Sequence, residues 1–333
     1  IKITKEFEDY VKNFNKKLFV STRNKNFELP INRLNKIIKE LRPKYNRHKE
    51  YVQKIIDEYP RILNASPKEM EILIFEFNRI LTNNQLNLSV RKNKILSFNE
   101  AIVYALRYED LREKEFLQFL NFIDIKTCVY CNLQSTLVIE PKYYNKKKKA
   151  VKKTTAKLQL DHFYPKSQYP FLATSLFNLY PTCANCNLAK GKKKSLFNLY
   201  TTTDDLDVFN FRLSDKSVLR YWLSLKKENL DVSFNCSDQK LLENHNDLFQ
   251  IQALYDTQMD VAEELLLKAK ANPKIYRIIL QKEFGQLFKD PSIIDRLLIG
   301  NYSKPDDINR RPMAKYSQDI AKQLKLIVIL PLS

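Results

Sequence analysis

Glycine is scarce: three residues in 333, at positions 191, 285 and 300, leave no room for the glycine-rich loop that cradles nucleotide phosphates, which argues against a nucleotide-binding enzyme. Long apolar runs are missing as well. No stretch of eighteen apolar residues occurs, so a membrane-spanning helix is not expected. The first residues, Ile-Lys-Ile-Thr-Lys-Glu, lack the apolar segment of a signal peptide, and the C-terminal Leu-Ile-Val-Ile-Leu-Pro-Leu is too short to cross a bilayer and reads as a buried strand or an association edge. Acidic side chains are in deficit, 38 against 57 Lys and Arg, giving a formal net charge of +19 and a pI near 9.5. Such a balance points to an anionic polymer or a membrane surface as partner, with nucleic acid the leading reading. Cysteine is limited to five residues, four of them in two Cys-x-x-Cys pairs, which is not the pattern of a secreted disulfide scaffold and fits a reducing cytoplasm. The fifth, Cys236, reads as a small buried hydrophobe.

What is present is an apolar fraction of 44%, enough for two or three ordinary domains with a real core. We divide the chain into an N-terminal helical region at 1–122, a central module at 123–200 and a C-terminal region of strands followed by helices at 201–333. In the first region Phe7, Tyr10, Val11 and Phe14 recur at helical spacing, as do Leu34, Ile37, Ile38 and Leu41, then Tyr51, Ile55 and Ile56. Ser66-Pro-Lys-Glu69 and Ser97-Phe-Asn-Glu100 are helix-start signals, and the first should carry Met70, Ile72, Leu73 and Phe77 inward. Arg42, Lys44, Tyr45, Arg47 and His48 interleave charge with aromatic rings, and read first as a solvated helix end and second as a phosphate-binding face. After residue 200, short strands are expected at 208–213, 218–223 and 230–234, helices at 238–270 and 273–288, and a last helix at 315–324 against which the loop around 299–313 lies.

The centre holds the chemistry. Cys128-Val-Tyr-Cys131 and Cys183-Ala-Asn-Cys186 supply the four thiolates that tetrahedral zinc takes. Between them lie Leu-Gln-Leu-Asp161-His162-Phe-Tyr-Pro165-Lys166-Ser and Phe-Asn178-Leu-Tyr-Pro, and the second pair runs on into Asn187-Leu-Ala-Lys190-Gly191-Lys192. Strands are expected at 135–140 and 157–161, joined by a loop carrying Lys146, Lys147, Lys148, Lys149, Lys152 and Lys153. This lysine run lies on the element leading to Asp161, so it is a candidate for nucleic-acid backbone contact. Lys166, Lys190 and Lys192 are further candidates for the flanking phosphates. His48 and His245 have no such company and read as surface residues.

This order of residues resembles the HNH endonucleases, the zinc-stapled ββα-metal (His-Me finger) nucleases, in an H-N-N variant, over roughly residues 125–200. The fused helical flanks resemble HNH effectors of bacterial antiphage systems of the Septu PtuB type, which act beside an ATPase subunit. The resemblance implies an α+β, predominantly helical chain built around a central ββα-metal module. It implies His162 as general base, Asn178 as the residue orienting its imidazole, and Asp161 and Asn187 as ligands of a catalytic divalent cation, Mg²⁺ or Mn²⁺, with zinc purely structural on Cys128, Cys131, Cys183 and Cys186. The function so implied is metal-dependent hydrolysis of nucleic-acid phosphodiester bonds, with DNA the favoured substrate and RNA or tRNA the alternative. A non-enzymatic zinc ribbon that binds nucleic acid or a partner needs only the cysteine pairs and the basic surface, and stands as the alternative.

Overall fold

In a computed structural model, residues 1–18, 28–91, 96–113, 115–139, 142–144, 150–152, 154–203, 208–271 and 273–327 are described. The N-terminal third is helical: α1 (Lys5–Leu18), α2 (Pro30–Glu40), α3 (Asn46–Asp57), α4 (Tyr59–Leu63), α5 (Pro67–Asn78), α6 (Asn83–Leu86), α7 (Phe98–Ala105), α8 (Tyr108–Arg112) and α9 (Glu115–Ile123). Phe7, Val11, Phe14 and Leu18 fall on one face of α1 and are buried, as helical spacing requires. Ser66 caps α5, its hydroxyl accepting from the Glu69 amide at 3.3 Å, and the Glu100 carboxylate accepts from the Ser97 amide at 2.9 Å to start α7. Met70, Leu73 and Phe77 turn inward on α5, whereas Ile72, expected beside them, is exposed because two residues of helix carry it to the far side. His48 is buried rather than on the surface: its ring meets Phe98 edge-on at 4.8 Å, and its Nε2 donates to the Gln85 carbonyl at 3.2 Å.

These helices share one apolar core with the rest of the chain. Phe7 packs against Phe119, Phe177 and Tyr200, and Phe77 stacks on Phe171 at 4.0 Å. The first residues cross the central module, Lys2 bridging to Thr201 in parallel.

Among the described residues the central module contains three antiparallel pairings. β1 (Leu137–Ile139) pairs with β4 (Thr155–Lys157), and the arm continues outward as β2 (Lys142–Tyr144) on β3 (Ala150–Lys152). A basic hairpin forms as expected, but its return strand is 155–157, and most of the expected strand 157–161 pairs elsewhere; Lys146, Lys147, Lys148, Lys149 and Lys153 lie outside the described residues, and of Lys152 only its place on β3 is described. The strand that carries the Asp-His pair, β5 (Gln159–His162), pairs with β6 (Leu179–Thr182), with Asp161 opposite Tyr180 and His162 opposite Leu179. A four-residue strand containing Pro181 gives little sequence signal, since proline cannot donate to a ladder. Here its carbonyl accepts instead, from the Val129 amide at 3.2 Å, tying β6 to the first cysteine pair. Helix α10 (Ala184–Lys190) follows at once and ends at Gly191, whose φ of 50° suits a residue without Cβ.

In the last third β7 (Phe209–Leu213) pairs with β8 (Val232–Cys236), separated by α11 (Asp215–Ser224). The stretch 218–223, expected as a strand from its Val, Tyr, Trp and Leu content, is this helix. Ser217 and Tyr221, one turn apart, are buried, while Leu219 and Leu223 face solvent, so packing overrides β-propensity. The helical stretch after 238 is broken by Gln250, whose φ is 53°, into α12 (Gln239–Phe249) and α13 (Ile251–Asp256), followed by α14 (Met259–Lys270), α15 (Pro273–Phe284), α16 (Pro291–Ile299) and α17 (Ala314–Gln323). Helix α17 closes the free edge of β7: Asp319 accepts from the Phe211 amide at 2.9 Å, and Gln323 bonds both the amide and the carbonyl of Leu213. The loop before α17 lies against it, Gln318 donating to the Tyr302 and Lys304 carbonyls. Cys236 is half-buried rather than a core residue, and the apolar tail from Val328 onward lies outside the described residues. Among the described residues no helix is long and apolar enough to cross a membrane.

Candidate functional site

The four cysteines of the two pairs converge although 51 residues of chain, 132–182, separate the pairs in sequence. Their sulfur atoms all lie within 4.8 Å of one another, and all four residues are buried. Four thiolates around zinc at about 2.3 Å form a tetrahedron with edges of about 3.8 Å, so the cluster fits that ion with small adjustment. Thiols this close perturb one another: contact with Cys128 pulls Cys183 down and Cys131 down, burial pushes Cys128 up, and contact with Cys128 pushes Cys186 up. A divalent cation in their midst would favour the thiolate at every position.

Each knuckle is built by a local device. Cys183 is the N-cap of α10, its Sγ accepting from the Cys186 amide at 3.4 Å. The first knuckle turns on Asn132, at a φ of 50°, and its carbonyls are taken by the C-terminal region. The Tyr130 carbonyl accepts from His245 Nε2 at 2.8 Å, the Cys131 carbonyl from the Tyr255 hydroxyl at 2.9 Å, and the Asn132 carbonyl from the Met313 amide at 2.6 Å. His245 is therefore buried behind the knuckle, not on the surface, and desolvation lowers its pKa to about 4.

The pleat of β5 sends Asp161 and His162 to opposite sides. The Asp161 carboxylate meets the Lys190 ammonium at 3.0 Å and accepts from the Tyr130 hydroxyl at 2.7 Å. Lys190 is wholly buried and also donates to the His162 carbonyl at 2.8 Å, so it locks α10 onto the strand end. The sequence suggested Lys190 as a phosphate contact, but its position one turn beyond Asn187 on the inner face of α10 directs it into the module. Burial raises the Asp161 pKa despite the opposing effect of Lys190 and Tyr130, and the Tyr130 phenol is held protonated by burial and by the carboxylate beside it.

His162, 6% exposed, donates from Nε2 to the Ala173 carbonyl at 3.0 Å. That bond fixes the tautomer, leaving Nδ1 as the nitrogen with a free lone pair. Desolvation lowers the imidazole to about 3, aided by the nearby cations Lys166, Lys190 and Arg112, so the ring is neutral at physiological pH. Among the described residues the Asn178 side chain makes no hydrogen bond to the imidazole. It clamps the intervening loop, accepting from the Tyr164 amide at 2.7 Å and donating to the Tyr164 and Leu172 carbonyls at 3.1 Å each, and so sets the position of neighbouring Ala173. Asn187 is half-buried on the first turn of α10, and among the described residues its side chain makes no hydrogen bond to Asp161 or His162.

The imidazole is covered by the N-terminal region. The Tyr108 ring of α8 lies 4.7 Å from it, and the Lys166 ammonium sits over the Tyr108 ring at 4.3 Å. Polar ties hold the cover: Lys166 to Glu109 at 3.2 Å, Arg112 to Gln159 at 3.2 Å, and Asn99 to the Ser167 carbonyl at 3.0 Å. Tyr108 and Ala173 carried no local motif, and only the three-dimensional structure brings them to His162. Tyr130 lay in plain view inside the first Cys-x-x-Cys pair, but nothing in that spacing said that its hydroxyl faces Asp161.

No family model matches the chain, and no solved structure matches it. A stretch of 97 residues, 27% of this chain, is 32% identical to Septu protein PtuB of Bacillus thuringiensis. The match spans 32% of that protein, so the chain covers about a third of the length of this relative.

Proposed function

We propose that the chain is a metal-dependent HNH endonuclease that hydrolyses nucleic-acid phosphodiester bonds, DNA in preference to RNA, as the nuclease effector of a bacterial antiphage system. The observation that carries the reading is the state of His162: a neutral imidazole at the end of a strand stapled between two cysteine pairs, with Nε2 tied to a backbone carbonyl and Nδ1 left to accept a proton. The similarity to a Septu protein and the basic charge agree with it.

In this reading His162 Nδ1 takes the proton of the attacking water, which requires the Tyr108 cover to swing aside and the ring to regain solvent. Solvation raises the imidazole from about 3 toward its ordinary value near 6.5, where it is a stronger base. Asn178 positions the imidazole at one remove, by holding the loop that presents the Ala173 carbonyl. The Asp161 carboxylate and the Asn187 amide oxygen are hard donors that suit Mg²⁺ or Mn²⁺, which would stabilise charge growing on the phosphate. Lys190 has to release at least one carboxylate oxygen for that. Zinc on the four cysteines has no open position and serves the fold alone.

The burial of His162 and the Lys190–Asp161 pair favour a second reading, a zinc-stapled module that binds nucleic acid or a partner without cleaving. Incubation of the purified chain with plasmid or tRNA and Mg²⁺ or Mn²⁺ separates the two. Cleavage that falls at least about a hundred-fold in His162→Ala supports the nuclease; binding with no cleavage, or cleavage indifferent to His162→Ala, supports the second reading.

A further inference from the structure

A cleft of about 520 Å³, one wall of which is Tyr108, lies between the N-terminal helices and the loop that follows His162. Its walls carry Arg33, Arg107, Lys166 and Lys192, with two aromatic rings, Tyr104 and Tyr108. Tyr104 is 67% exposed, an uncommon state for so large a ring, and the Arg33 guanidinium rests 5.2 Å from its centroid, holding it in place. The amides of Asn87 and Asn99 line the same space.

We propose that this cleft seats an unpaired stretch of the nucleic-acid substrate, a single strand or a nucleotide turned out of a duplex, next to the candidate catalytic imidazole. The inference rests on the nuclease reading above and adds the form of the substrate. A concave site of this volume takes in a small, flat group of nucleotide size but not the convex surface of a duplex. An exposed aromatic ring set among cations, here Tyr104, offers an unpaired base a face to stack on while the cations neutralise its phosphates; Tyr108, 2% exposed, is only a wall of the cleft. Tyr108 belongs both to the cleft and to the cover over His162, so a strand filling the cleft presses on the side chain that closes the site.

Three carboxylates also face the cleft: Glu100, Glu109 and Asp110. Glu100 is engaged by the Ser97 cap, Glu109 by Lys166 and Asp110 by Arg107 at 3.1 Å. The last two are more than half exposed, and ion pairs in that setting are weak enough for phosphate to take over the cations. Lys192 is exposed and makes no ion pair among the described residues, which leaves it open to a first phosphate contact.

The test is equilibrium binding of labelled DNA and RNA single strands of about 12 nucleotides, and of the matching blunt duplex, to the full chain without divalent cation. A single strand, DNA or RNA, should bind at least about ten-fold tighter than the duplex, and Tyr104→Ala should cost about ten-fold in that affinity alone. Lys192→Ala should lower the salt dependence by about one phosphate contact. Because Tyr104 is exposed, its truncation leaves the fold intact, which circular dichroism checks. Duplex binding as tight as single-strand binding, or single-strand affinity unchanged in Tyr104→Ala, overturns the proposal. Loss of the preference with plasmid cleavage intact overturns the cleft and leaves the nuclease standing; a retained preference in a chain that cleaves nothing does the reverse.

Discussion

Two lysine–carboxylate pairs flank His162 at nearly the same distance, Lys190–Asp161 at 3.0 Å and Lys166–Glu109 at 3.2 Å, and they are different objects. The first pair is 0% and 5% exposed, the second 39% and 66%. Out of water, a charge left without its partner is costly; in water it is resolvated at almost no loss. The strand end and α10 are thus locked together from within, while over Tyr108, itself buried in the apolar core, the Lys166–Glu109 tie is one that solvent can replace. Separation alone says nothing about strength, and the molecule uses the same chemical pair once as a permanent joint and once as a latch.

Metal removal should break the inner side of this comparison most severely. The joint depends on the knuckles, because Tyr130, which bonds Asp161, sits within the first and α10, which carries Lys190, starts from the second. Structural zinc in small modules contributes on the order of 10 kcal/mol to folding. Chelation, or Cys183→Ser, should therefore abolish amide protection across β5, β6 and α10 while α3, α5 and α7 keep theirs. Unchanged hydrogen exchange after chelation, or protein free of zinc by elemental analysis, would refute the metal centre.

Next in size is Lys190→Met. Removing the ammonium strands a buried carboxylate, at a cost of about 3–5 kcal/mol by urea unfolding. The double variant Lys190→Met/Asp161→Asn should regain much of that, because it removes the stranded charge. A single variant as stable as the parent would mean that solvent reaches Asp161, contrary to its burial.

The same contrast explains what could be read from the sequence. Each Cys-x-x-Cys pair, the helices capped at Ser66 and Ser97 and the helical register of Phe7, Val11 and Phe14 were legible because each depends on residues a few positions apart. Strand β6 was not, since Leu179–Thr182 is short, contains Pro181 and exists only through its pairing with β5. Nor was the helix at α11, whose Val, Tyr and Trp favour a strand until Tyr221 finds a buried site. His48 and His245 read as surface residues because an isolated histidine carries no pattern; each is buried by aromatic rings from distant parts of the chain. Lys190 looked like one more cation in a basic run, and only its place on the inner face of α10, opposite Asp161, makes it a joint.

Acid should weaken the buried side by a comparable but smaller amount. His245 has a folded pKa of about 4, below the ordinary 6.5, so its contribution is complete above pH 6.5 and is lost as pH falls from there through 4. That shift corresponds to about 3 kcal/mol. His245→Gln should start less stable at pH 7 and show a shallower fall in melting temperature between pH 6.5 and 4, compared at fixed zinc. Equal slopes in the two proteins would place the acid sensitivity elsewhere.

The smallest effect belongs to the latch. Glu109→Gln removes the charge that Lys166 faces but leaves Lys166 in solvent and over the Tyr108 ring, so unfolding free energy should change by less than about 1 kcal/mol. What should change is local: with one tie gone, α8 opens more often, and its amides and the His162 ring should exchange or react faster at unchanged global stability. High salt should mimic the substitution in the parent protein and add nothing in the variant, because screening acts on the exposed pair and not on Lys190–Asp161. A loss of several kcal/mol in Glu109→Gln, matching that of Lys190→Met, would show that the cover is a second permanent joint, and His162 would then have no route to solvent.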